Sequence, residues 1–75
     1  MPHVIVKMYP GRTEEQKVKL ADGISKLVSE TISCEEKVVS VGIEEVAPED
    51  WARQVYEPEI AGKPETLYKK PGYTP

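Results

Sequence analysis

Cysteine and histidine are nearly missing from this sequence, with Cys34 and His3 the single examples of each. One cysteine closes no disulfide within the chain, and one histidine beside it makes no structural metal cluster, so no metal site is expected and neither staple supports the fold. Basic charge is also in short supply. Lys and Arg number 10 against 13 Asp and Glu, a net charge of −3, which leaves no cationic stripe to follow a phosphate backbone and removes nucleic acid as an expected partner. No stretch is long and apolar enough to span a bilayer, and the opening Met-Pro-His-Val-Ile-Val-Lys has neither the basic n-region nor the continuous apolar h-region of a secretory signal. No membrane association is expected. A cytoplasmic location is, and a single unpaired cysteine agrees with a reducing compartment. Internal repeats and low-complexity tracts are absent.

A chain of 75 residues is one domain, 1–75, and buries too little of its unfolded surface to be more than marginally stable as a monomer. With disulfides and metal excluded, self-association is the remaining supplement.

What is present is a short alternation of element signals. Residues 2–9 place Val4, Val6 and Met8 on one face and His3, Ile5, Lys7 and Tyr9 on the other, the period of a β-strand. Pro10-Gly11 stops that strand. Thr13-Glu-Glu-Gln16 then has the spacing of a capping box, predicting a helix from there to about Ser33. Val18, Leu20, Ala21, Ile24, Leu27, Val28, Thr31 and Ile32 recur along it at three- and four-residue steps. After a polar break, residues 38–46 read as a second strand closed by Ala47-Pro48. The expected fold is α+β: a β-α-β unit over 2–46 with two parallel strands joined by a crossover helix. Two strands are too few for a stable sheet, so edge pairing with a second subunit is expected. Beyond it, 47–75 reads as a C-terminal arm, with a short helical turn within 51–60 and a proline-rich tail lying over a neighbour.

Pro2 is the first candidate for chemistry. Removal of Met1, which a small second residue favours, turns the Pro2 nitrogen from an amide into a secondary amine. Ordinary α-amino groups titrate at about 7.7–8.0, and an apolar pocket beside a cation lowers that value by disfavouring the charged form. The result is a base poised near neutral pH. The plainer reading is that Pro2 only begins an edge strand, and with Met1 retained its nitrogen is an amide with no basicity.

Arg12, between the first strand and the capped helix, suits a bidentate grip on a carboxylate, or else is a solvated loop residue. A strand of about seven residues at roughly 3.3 Å each separates Pro2 from Arg12 by more than ~20 Å. They can therefore share a site only across a subunit interface, and antiparallel pairing brings the Arg12 end of one strand to the Pro2 end of the other. Trp51 follows the second strand on the Arg12 side and reads as an apolar wall of that site or as a plain core or interface anchor, two roles that do not exclude each other. His3 points to the other strand face and is read as structural, as is Cys34 near the helix end. Arg53 and Lys69-Lys70 are read as surface charges.

Pro2, the first strand, Pro10-Gly-Arg-Thr-Glu-Glu-Gln-Lys17 and the strand over 38–46 together resemble the 4-oxalocrotonate tautomerase family over nearly the whole chain. Pro48-Glu-Asp-Trp51 and Lys69-Lys-Pro-Gly-Tyr73 resemble its PptA-type branch, for which the resemblance implies dimers. It also implies a cofactor-free keto–enol tautomerase with Pro2 as the general base, Arg12 holding the substrate carboxylate and Trp51 keeping the pocket apolar. The family's second arginine, near the start of the second strand, is replaced here by Ser40. That departure counts against dicarboxylates and implies 2-hydroxydienoate or enolpyruvate-type mono-acids, with Ser40, a backbone amide or a water supplying the oxyanion donor. Two alternatives remain at this level: a non-catalytic oligomeric binding module with the same fold, and a Pro2-dependent hydratase, dehalogenase or decarboxylase.

Overall fold

In the computed structural model, which describes residues 1–75, the first alternating segment is strand β1, His3–Met8. Gly11 follows it at φ 124°, a conformation strained for any residue with a Cβ, so the turn delivering Arg12 depends on glycine. Thr13 then caps helix α1, Glu14–Ile32. The capping box is complete: the Gln16 amide donates to Thr13 Oγ1 at 3.1 Å, and the Thr13 amide donates to Gln16 Oε1 at 2.9 Å. Replacing Thr13 by Ala should cost about 1 kcal/mol, read as a lower urea midpoint at unchanged slope, while Thr13→Ser should keep most of it. At the other end Ser33 turns left-handed (φ 57°, ψ 54°), the Cys34 amide donates to the Ser29 carbonyl at 3.1 Å, and Ser29 Oγ donates to the Cys34 carbonyl. Cys34 thus closes the helix through its backbone.

The second strand, β2, is Ser40–Glu45, shorter than the 38–46 expected. A tight turn, Glu36–Val38, takes up its start, with the Val38 and Val39 amides donating back to the Glu35 and Glu36 carbonyls. The β-branched run at 38–39 fits either backbone, and pairing with β1 decides where the ladder begins. That ladder is parallel, from His3↔Ser40 to Met8↔Glu45, and the sheet has two strands, as expected.

Lys17 of α1 reaches Glu45 Oε2 at 3.0 Å, which sets the helix over the sheet face carrying Val4, Val6, Val41 and Ile43. The opposite face carries His3, Ile5, Lys7, Ser40 and Glu44, with Ile5 42% exposed. No side chain in the unit Met1–Glu45 is fully buried, and Leu27 of α1 is 64% exposed. So thin a core, with an open edge on each strand, is what a subunit built to associate presents.

The second compact unit is Val46–Pro75. Here the structure is more helical than expected: α2, Pro48–Trp51, begins with proline at its first turn, where the missing N–H costs nothing. It runs straight on into Ala52–Ala61, wound in the wider i→i+5 manner, with Pro58 inside and Val55 buried. A Cβ at position 62 would stand 2.7 Å from the Glu57 carbonyl oxygen, so Gly62 is required for the chain to leave this helix so tightly. After the turn Pro64–Thr66, the tail comes back onto its own unit, where Tyr73 meets Trp51. No helix is long and apolar enough to cross a membrane.

Candidate active site

Pro2 stands at the end of the sheet where β2 begins. The Ser40 amide donates to the Pro2 carbonyl at 3.2 Å, the first rung of the ladder. Beside it, Ser40 Oγ lies 2.6 Å from His3 Nδ1, so the two residues left of the register are joined by side chains as well as backbone. That bond limits Ser40 as an oxyanion donor. When His3 carries its proton on Nε2, the hydroxyl proton is committed to Nδ1; only with the proton on Nδ1 does the hydroxyl keep a donor for a ligand.

Arg12 stands at the far end, after the Gly11 turn. A cavity of about 200 Å³ is lined there by Met8, Arg12, Gln16, Lys17 and Leu20. The two cations in it differ. Lys17 is held by Glu45 at 3.0 Å and by Glu14 at 3.2 Å, and these bonds, that from Glu45 foremost, raise its pKa above the usual 10.5. Its charge is therefore balanced by the protein. Arg12 is exposed and pairs with no carboxylate, so its guanidinium is the charge this cavity offers to an anion, with Met8 and Leu20 supplying apolar wall.

Pro2 and Arg12 do not meet in one protomer. The six residues of β1 lie between them, an end-to-end separation of about 20 Å at a rise of ~3.3 Å per residue.

Trp51 lies in the second unit, where its Nε1–H donates to Tyr73 Oη at 2.9 Å. The Tyr73 ring in turn sits 5.9 Å from that of Tyr56, tilted by 47°. Arg53 pairs with Asp50 at 3.0 Å and is 72% exposed, as a surface charge should be. Sequence reasoning missed two of these links. The His3–Ser40 contact depends on strand register, and the Tyr73–Trp51 contact joins residues 22 apart through a loop with no periodicity; the only sequence trace of the latter is an aromatic after Pro71-Gly72.

The parallel β-α-β unit thus carries an exposed arginine beside a cavity at one end of its sheet and a proline at the other. The model of the family described as "Tautomerase enzyme" matches residues 2–58, and the chain belongs to the tautomerase family: it is an isomerase. Along nearly its whole length it is similar to a probable tautomerase of Xylella fastidiosa, 41% identical over 97% of this chain and 89% of that protein. It is likewise similar to tautomerase PptA of Cronobacter sakazakii, 39% identical over 97% of each. Among solved structures, YwhB, a homologue of 4-oxalocrotonate tautomerase, superposes at a TM-score of 0.60 and 43% identity over 61% of this chain and 75% of that one. TomN, a 4-oxalocrotonate tautomerase homologue of the tomaymycin biosynthetic pathway, does so at 0.65 and 25% identity over 87% and 97%. The fold is that of the 4-oxalocrotonate tautomerases.

Proposed function

We propose that this tautomerase interconverts keto and enol forms of enolpyruvate or 2-hydroxydienoate mono-acids without a cofactor, using the Pro2 amine freed by removal of Met1, in a homodimer whose sites are shared. The observation that carries this reading is the unpaired Arg12 above an anion-sized cavity, with Pro2 at the opposite end of the same strand. A working site needs one end from each of two subunits, and antiparallel pairing of open strand edges supplies both.

In such a site the Arg12 guanidinium of one subunit holds the substrate carboxylate. Neutral Pro2 of the other takes the enol hydroxyl proton, the oxygen lone pair collapses to the carbonyl, and the π electrons of the enol take a proton from the Pro2 ammonium at carbon. The Pro2 amine ends neutral, as it began, and the substrate ends as its keto isomer, one proton having moved from oxygen to carbon. Trp51 walls the pocket and excludes water, which keeps the amine neutral and strengthens the arginine–carboxylate attraction. The enolate oxygen is met by a weak donor, since Ser40 stands where the resemblance places a second arginine.

Mono-acids are accordingly favoured over diacids, because a second carboxylate would be desolvated with no cation to receive it. Ketonisation followed by ultraviolet absorbance should give a kcat/KM for phenylenolpyruvate at least about tenfold above that for 2-hydroxymuconate, the worth of one unmet charged hydrogen bond. A preference for the diacid would overturn the mono-acid reading.

A further inference from the structure

We infer that Tyr73, from the C-terminal tail, is a positioning residue that fixes the indole of Trp51 and thereby tightens the binding of substrates carrying an aromatic group. The inference rests on the reading of Trp51 as a wall of the substrate pocket. Indole has one polar group, a donor, and two side-chain torsions to settle. Its N–H lies in the ring plane, so donation to Tyr73 Oη at 2.9 Å selects one orientation of the ring. Tyr73 is itself held: its ring packs on Tyr56 at 5.9 Å, and Pro71 restricts the backbone two residues before it. Gly62 allows the reversal that starts the tail back toward the helix. The phenol oxygen accepts from Trp51 and so keeps its own proton to donate.

A merely structural tail would lower stability and leave substrate preference alone. A positioning residue instead sets how well a flat group stacks on the indole, a term felt in KM for an aromatic substrate and hardly at all for a small one.

Trp51 is the single tryptophan, so its fluorescence reports this contact directly, whether or not the enzyme is active. Tyr73→Phe removes the acceptor oxygen and keeps the ring on Tyr56; Tyr68→Phe, at a fully exposed side chain, is the control. The expected result for Tyr73→Phe is a shifted emission maximum with easier acrylamide quenching. Alongside it, KM for phenylenolpyruvate should rise about threefold to tenfold, the worth of one neutral hydrogen bond, with kcat within about twofold and KM for a non-aromatic enolpyruvate unmoved. Tyr68→Phe should change none of these. Unchanged emission would overturn the Tyr73–Trp51 contact whatever the activity. Changed emission with unchanged KM would overturn its role in substrate binding and leave the Pro2 chemistry standing, because catalysis by Pro2 is read separately from kcat.

Discussion

Protein that retains Met1 should show no ketonisation above background, and Pro2→Ala with Met1 removed should lose about 10²-fold or more in kcat. Both follow from the nitrogen at position 2. With Met1 attached it is an amide, with no lone pair available for a proton at any ordinary pH. In Pro2→Ala an amine survives, but a primary one on a freely turning bond, and a general base contributes its ~10²–10⁴-fold only when held at the proton it moves. Proline's ring removes that rotation, and the Ser40 amide bonded to its carbonyl at 3.2 Å anchors it to the sheet. The pH profile supplies an independent sign. The proposed working form is the neutral amine, so activity should fall as pH drops through the pKa of the Pro2 amine. Mass spectrometry of each preparation, beside its rate, checks the assignment, and full activity in a Met1-retaining sample would refute it.

Arg12→Ala should raise KM for phenylenolpyruvate and lower kcat/KM by about 10–100-fold, the worth of the charge-assisted hydrogen bonds it makes to one carboxylate. The size depends on what else in the cavity could substitute, and Lys17 is the nearest candidate. Its bonds to Glu45 and Glu14 hold it against the protein and cancel its charge, so it cannot take over without abandoning the contact that ties α1 to β2. Arg12→Lys should recover only part of the loss, because an ammonium replaces the two-pronged fork by a single point of charge. Steady-state kinetics on the three proteins checks this, and an Arg12→Ala enzyme with unchanged KM would remove Arg12 from the site.

Much of the fold was open to reading because its signals are local. Thr13-Glu-Glu-Gln16 carries its own hydrogen-bond partners, so the start of α1 could be placed to the residue. Period-two alternation located β1 within a residue at each end. The start of β2 could not be placed in the same way: Val38 and Val39 suit strand and turn alike, and what separates them is the pairing of Ser40 with His3, a contact 37 residues apart in the chain. The helical run from Pro48 to Ala61 was underread for a related reason, since Pro58 argues against an ordinary helix and does not announce a wider winding.

For the site, residue type and position singled out Pro2, Arg12 and Trp51 as candidates, and strand length allows Pro2 and Arg12 to share a site only across two subunits. What the sequence did not disclose is which polar groups are already engaged. Ser40 looked available as a donor and is bonded to His3; Trp51 looked like a bare apolar wall and is bonded to Tyr73. Such engagements are set by register and loop closure, which leave no pattern in the chain.

The claim on which the account turns is that each site takes Pro2 from one subunit and Arg12 from the other. Co-expressing Arg12→Ala and Pro2→Ala chains with different tags, and purifying the doubly tagged dimer, tests it directly. One of the two sites in that dimer would have both residues intact, so ketonisation of phenylenolpyruvate should return to about half the wild-type rate, far above either parent. A verified mixed dimer no more active than its parents would contradict the shared site.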